Sequence, residues 1–188
     1  KSEIKFYRRD CMSDFYLKTP DITMLDDIAA FRQEFLDNGD RINGSSNLQD
    51  YPNPKKWLDY LEFEKRRSTD FKDFPESFQC VYVNGDTGLI VGMIQYRNDY
   101  VKKINKYLGN IGYCVRPRER RKGHAKKMLS DMLIKCSEAG IKDVSIICNV
   151  VNEGSRKVIL ANGGIFKSIQ KSDVNGALME TYQIKLSD

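Results

Sequence analysis

Residues 124–139 carry the strictest pattern in the chain. Ala125, Met128, Leu129, Met132, Leu133 and Cys136 fall at i, i+3, i+4, i+7, i+8 and i+11, one apolar stripe of an amphipathic helix, and Gly140 ends it. Two β-forming runs flank this helix: residues 110–115 (Asn-Ile-Gly-Tyr-Cys-Val), stopped by Pro117, and residues 144–148. Strand, loop, helix and strand in that order form a crossover unit, which predicts two parallel neighbouring strands with a right-handed connection.

The remaining elements extend that unit. After Pro20, Asp21 or Thr23 caps a helix carrying Leu25, Ile28, Ala29, Phe35 and Leu36, and Asn38-Gly39 stops it. Residues 41–54 are polar and long for a connection, which suits either a binding loop or an exposed connector. Trp57, Leu58, Leu61 and Phe63 mark a second helix ending near residues 65–68. Residues 78–83 and 89–96 read as a hairpin around Asn84-Gly85-Asp86-Thr87-Gly88, and residues 98–108 then interrupt the sheet. A short helix over 153–161 stops at Asn162-Gly163-Gly164, and residues 166–169 and 179–186 supply two last strands. The fold class is α/β (α+β), a sheet with helices packed on its faces. No linker divides the chain, so residues 14–188 are expected to form one domain and residues 1–13 an N-terminal extension.

No apolar run approaches the roughly 18 residues that span a bilayer, and a cytoplasmic location is the default expectation. Five cysteines, Cys11, Cys80, Cys114, Cys136 and Cys148, are an odd number without a CxxC pair, which argues against a disulfide framework and against zinc. His124 is the sole histidine, which removes histidine-built metal sites from consideration. The net charge of +5 is concentrated. Residues 116–127 hold seven Lys and Arg against Glu119, a local +6 that leaves the rest of the chain at −1.

This basic segment sits where a strand turns into the strongest helix. A helix start offers unpaired N–H groups and the positive end of the macrodipole, so Arg120-Arg121-Lys122-Gly123-His124-Ala125 reads as a pyrophosphate cradle. Gly123 lets the backbone approach a ligand and Ala125 keeps the first turn uncrowded. Neither GxxxxGK[ST] nor GxGxxG occurs.

Ile111-Gly112-Tyr113-Cys114-Val115-Arg116-Pro117, followed by Arg120-x-x-Gly123-x-Ala125 and Met128-Leu129, resembles the acetyl-CoA signature of the GNAT superfamily of N-acetyltransferases. Asn152-x-x-Ser155 and Gly163-Gly164 resemble that family's second cofactor segment. The resemblance implies a mixed, mostly antiparallel sheet of six to seven strands whose parallel central pair splays for acetyl-CoA, with helices on both faces. It implies that backbone groups of Cys114 and Val115 hold the pantetheine, that Arg121, Lys122, Gly123, His124 and Ala125 hold the pyrophosphate with Arg120 shaping the loop, and that Asn152 and Ser155 lie along the arm. Arg116, Lys126 or Arg156 would reach the 3′-phosphate. His124 would cover the phosphates or face solvent, with proton shuttling as a lesser role. No metal is implied.

The implied chemistry is direct acetyl transfer to a primary amine of a small-molecule or amino-acid-like acceptor. Many relatives place a tyrosine acid where this chain has Ile159, so Tyr113, Cys148 and Tyr182 are the substitutes, with Glu180 as a base through water. Two other readings stand beside it: an acetyl-CoA sensor without turnover, and a nucleic-acid-binding module using the basic segment. The expected partners are a small amine acceptor, no nucleic acid and no membrane, in a monomer or homodimer.

Overall fold

The computed structural model describes residues 15–68, 76–99, 109–173 and 175–186. Seven strands form one sheet: β1 (Phe15–Lys18), β2 (Phe78–Asn84), β3 (Ile90–Tyr96), β4 (Ile111–Val115), β5 (Asp143–Asn149), β6 (Ile165–Lys171) and β7 (Leu178–Lys185). Their spatial order is β1-β2-β3-β4-β5-β7-β6. Every pairing is antiparallel except β4 with β5. The helices among the described residues are α1 (Leu25–Asp37), α2 (Pro54–Ser68), α3 (His124–Glu138) and α4 (Glu153–Leu160). The extension expected over residues 1–13, and most of the 98–108 interruption, lie outside the described residues.

Strand alternation divides the apolar residues into two cores, one on each face of the sheet. Cys80, Tyr82, Ile94, Ile111, Val144 and Ile146 meet Met128, Leu129, Met132 and Cys136 of α3 and Ile159 of α4. Val81, Val83 and Met93 meet Ile28, Phe31 and Phe35 of α1 and Trp57 of α2. Central strands covered on both faces explain why β2 and β3 read as nearly continuous apolar runs. The α3 stripe packs as its spacing predicts, and its end is a Schellman turn. Gly140 (φ 76°) donates to Ser137 O, and buried Ile141 donates to Cys136 O.

Phe63 is exposed on α2, outside the core. The 41–54 segment is built rather than merely exposed, with a 3-10 turn at Leu48–Asp50 that buries Leu48. Phe166 and Ile169 also remain exposed, because β6 is the outer strand beyond β7.

The parallel pair is short. Its ladder is set at Ile111 opposite Ile146, and beyond that point the two strands separate. Buried Asn110 closes the joined end. Its Oδ1 accepts from Ser145 N (2.8 Å) and Ser145 Oγ (2.9 Å), its N–H donates to Ser145 O (2.7 Å), and its Nδ2 donates to Arg97 O (3.1 Å).

At the other end of β4, Arg116 is fully buried. Its Nη2 lies 2.5 Å from Asp27 Oδ1 and its guanidinium sits over the Phe31 ring, 5.3 Å from the centroid. Asp27 also accepts from Ile90 N through Oδ2 (2.6 Å), so one α1 carboxylate pins α1 to the start of β3 and the end of β4. Nε and Nη1 of Arg116 find no hydrogen-bond acceptor among the described residues, which leaves Asp27, with Glu34 Oε2 more distant at 3.7 Å from Nε, to compensate a buried charge. Asp27→Ala is expected to destabilise the fold by about 3 kcal/mol, the cost of stranding a buried cation. Urea denaturation should show a lower midpoint at unchanged slope.

Candidate functional site

The start of α3 is an array of amides. Gly123 caps the helix in the left-handed region (φ 86°), and Arg121 also has positive φ (64°). The first helical backbone bonds are those of Lys126 and Lys127 to Gly123 O, and Arg120 N bonds to Pro117 O. Between them, the five consecutive N–H groups of Arg121, Lys122, Gly123, His124 and Ala125 have no acceptor among the described residues. Nothing lies within 4 Å of the place where a Gly123 Cβ would stand, so the space in front of these donors is open. Such a set suits an anion.

The side chains of this segment are mostly engaged elsewhere. Arg116 is bound to Asp27 inside the protein, which removes it from the anion-binding role expected for it. Arg118 pairs with Glu34 (3.5 Å) and Lys122 with Glu119 (2.9 Å). Arg120 pairs with Asp40 (2.6 Å), holding that carboxyl below its usual range, and its Nε donates to Val115 O (3.1 Å). Lys127 pairs with Asp131 (3.2 Å). Arg121 and Lys126 have no ion-pair partner among the described residues. His124 turns away from the open side. Its ring packs 4.4 Å from Phe15 and its Nε2 lies 3.6 Å from Glu119, with burial favouring the neutral imidazole. What His124 can offer a ligand is its amide. The basic segment is thus largely neutralised by its own surroundings, which weakens the nucleic-acid reading.

The gap between β4 and β5 leads from this cradle. Arg97 N to Asn110 O and Arg116 N to Val91 O show that the even-numbered backbone groups of β4 face β3. Those of Cys114 therefore serve the sheet, while the backbone groups of Tyr113 and Val115 face the gap. The alternation was available from sequence once the neighbour of β4 was known. The Cys114 thiol points to the α1 and α2 side, where burial pushes its pKa up to about 12.

Tyr113, Cys148 and Tyr182 share the other face, beneath α4. Tyr113 Oη is 2.9 Å from Ser155 Oγ, and burial raises its pKa to about 12, so the phenol keeps its proton. Asn152 Oδ1 accepts from Ser155 N (3.0 Å) and caps α4, so its oxygen is committed to the helix. Cys148 stands opposite Glu180 in register, and burial with Glu180 nearby keeps the thiol protonated. Tyr182 Oη donates to Glu180 Oε2 (2.9 Å). Arg156 clamps the same carboxylate from Nε (2.8 Å) and Nη2 (3.1 Å), and its Nη2 also reaches Val150 O. This pairing lowers the Glu180 pKa and makes it a poor base. It also occupies Arg156. Ile159 is fully buried in the core.

On the α1 and α2 face, the 44–46 loop lies on β4. Buried Gln79 donates to Gly44 O (3.0 Å) and accepts from Ser46 Oγ (2.8 Å), and Trp57 Nε1 donates to Ser45 O (2.9 Å). A Cβ on Gly44 would stand 2.0 Å from Gly112 O. No motif announced this contact or the role of Gln79. Among the described residues no group of three or more His, Cys, Asp or Glu could hold a metal ion, and no helix is long and apolar enough to cross a membrane.

A family model described as the acetyltransferase (GNAT) family matches residues 45–163. Among solved structures, the chain is similar to the microcin C7 self-immunity acetyltransferase MccE in complex with acetyl-CoA and AMP, at TM-score 0.67 and 17% identity over 92% of each chain. It is also similar to the ribosomal-protein-S5-alanine acetyltransferase from Vibrio fischeri, at TM-score 0.66 and 16% identity, covering 93% of this chain and 94% of that one. The RimL ribosomal L7/L12 alpha-N-protein acetyltransferase in complex with coenzyme A gives TM-score 0.67 and 14% identity over 92% and 94% of the two chains. These likenesses show the fold. No curated protein sequence matches the chain.

Gly44 combines positive φ (65°) with backbone contact, whereas Gly39 has positive φ (68°) and open space around it. Gly39→Ala is expected to cost about 1 kcal/mol of left-handed strain. Gly44→Ala should cost at least about 2 kcal/mol, because β4 must also move. Thermal denaturation of the two variants side by side checks the difference.

Proposed function

The chain belongs to the GNAT family of acetyltransferases, and from that premise we propose that it transfers the acetyl group of acetyl-CoA to a primary amine of a small or amino-acid-like acceptor. The observation that carries this reading is the run of five unbonded amides from Arg121 to Ala125, opening beside a parallel strand pair that separates after one register position. The residues present fit the cosubstrate. The amides would hold its pyrophosphate, with Arg120 fixing the loop through Val115 O and Asp40. The backbone of Tyr113 and Val115 would pair with the pantetheine arm. Ser155 and the Asn152 amide nitrogen would lie along it, and Lys126 and Arg121 are the cations left for the 3′-phosphate. The reading takes residues 14–188 as one domain, supported by a single sheet that runs through all seven strands.

Acetyl-CoA supplies the activated carbonyl. The acceptor nitrogen forms the new amide bond and loses a proton, while the C–S bond breaks and the departing sulfur takes one. Of the three candidate acids, Tyr113 is the best placed. It lies on the strand bordering the gap, its burial keeps it protonated, and among the described residues its hydroxyl bonds only Ser155. The Tyr182 proton is committed to Glu180, and Cys148 is walled into the β5/β7 ladder. Ser155 then acts as a positioning residue that aims the Tyr113 phenol.

Gly123→Glu places a carboxylate in the open space before the amides without contacting the rest of the fold. It is expected to abolish the thermal stabilisation that acetyl-CoA gives, which at 100 times Kd amounts to about 2.7 kcal/mol. An unchanged shift would overturn the cradle. Tyr113→Phe is expected to lower turnover about 100-fold, measured as free-thiol release, while the acetyl-CoA-induced Tm shift is retained. Full activity in that variant would remove Tyr113 as the acid.

A further inference from the structure

We propose that Arg97 holds a carboxylate of the acceptor, so that the amine acetylated belongs to an amino acid or short peptide with a free carboxylate. This rests on the transfer reading above. Arg97 follows β3 and points to the α1 and α2 face. Its Nε donates to Gly109 O (3.1 Å) and its Nη1 to Gln95 Oε1 (3.0 Å). Both acceptors are neutral, and among the described residues no Asp or Glu forms an ion pair with it. The other sequestered guanidinium groups are satisfied differently. Arg116, Arg120 and Arg156 each meet a carboxylate, and Arg32 donates from Nε and Nη2 to the carbonyls of Leu48 and Gln49. Among the described residues Arg97 and Arg32 each meet only neutral acceptors and keep one terminal nitrogen without one, and of the two only Arg97 lines the open cavity beside β3. Burial pulls its pKa down to about 10, in keeping with a cation that lacks compensation. A half-buried charge of this kind is costly unless an anion visits it.

Its position gives that anion a role. The guanidinium occupies the space in front of Gly112, where a Cβ would lie 2.9 Å from Nη2 and 3.0 Å from Nη1. Gly112 is the first β4 residue past the last β4/β5 pair, so Arg97 stands at the closed end of the gap. An arm running from residue 121 past Val115 and Tyr113 brings its thioester to this end. Tyr113 works from the opposite face, and Arg97 is left on the face from which an acceptor would come. Arg97, Gln95, Arg41, Asn43 and Ser46 line one open cavity of about 1140 Å³, larger than a single amino acid needs. Seven Asp and Glu line the same cavity against four Lys and Arg, which disfavours a polyanion and requires that an acceptor held by Arg97 also carry the positive charge of its amine.

The test uses amino acids and dipeptides, each paired with its own C-terminal carboxamide, in the thiol-release assay. The wild type is expected to favour the free acid by about 10-fold or more in kcat/KM, the scale of a charge-assisted pair. Arg97→Gln should bring that ratio to near one, with Arg97→Lys in between. Gln95→Glu provides a second variant, because it compensates the guanidinium in place while Arg97 keeps its bond to Gly109; it should also erase the preference. Equal use of acid and amide by the wild type would overturn the proposal. So would an Arg97→Gln variant that slows both members of each pair by the same factor, since that marks a brace for Gly109 only. If no pair releases thiol, the transfer reading fails, and the Arg97 assignment is then read by calorimetry of N-acetylated amino acids and their carboxamides on coenzyme A-saturated protein. Preference for the acid that Arg97→Gln removes supports it; absence of binding by either overturns it.

Discussion

Two parallel strands held together at one end and free at the other are the constraint on which the rest of this structure depends. Buried Asn110 is the clasp, bonding Ser145 on β5 through its side chain and backbone while its Nδ2 ties back to Arg97 O. A full parallel ladder would consume the backbone groups of Tyr113 and Val115. Asn110 concentrates the attachment in one place, so the strands separate immediately beyond Ile111 and Ile146 without the sheet losing continuity. The gap that results is a row of main-chain donors and acceptors inside an otherwise closed core.

Strand alternation then sorts the chemistry by face. Tyr113, Cys148, Glu180 and Tyr182 share the side covered by α4, where Ser155 and Arg156 complete a polar cluster. Gly112 faces the other side, against Gly44 and Arg97. The two glycines let the 44–46 loop rest directly on β4, and Gln79 and Trp57 fix it there. A wall on the α1 and α2 side is thereby attached to the strand that borders the gap, so its distance from that strand is set by backbone contact.

Much of this was legible in the residues. The crossover unit, the hairpin around Asn84-Gly85 and the helix start at Gly123 follow from periodicity and turn chemistry, and the structure has these elements where the sequence puts them. The signature also points to β4, but only the strand's partner decides which of its backbone groups are free: those of Cys114 bond β3, while those of Tyr113 and Val115 face the gap. Long-range pairings account for the rest. Arg116 looked like an exposed ligand because its sequence neighbours are basic, while its real partner, Asp27, lies 89 residues earlier. Gln79 and Arg97 sit in strand-like runs with no local pattern to mark them, and their meaning depends on what the sheet brings beside them. The order β7 before β6 was equally invisible, since both are short strands of similar composition.

The pairing of the basic segment with α1 has a further consequence. Glu34 and Asp40, with Asp27 behind them, cancel much of the +6 carried by residues 116–127, so the long-range field at the start of α3 is far weaker than the count suggests. What remains, beside Arg121 and Lys126, which are unpaired among the described residues, is an array of dipoles that act at contact distance. Ionic strength attenuates interactions between separated charges over a Debye length of about 8 Å in physiological salt, but barely touches hydrogen bonds already made. Capture of an anion on these amides would therefore depend less on salt than a free +6 segment would, the remaining long-range pull coming from Arg121 and Lys126.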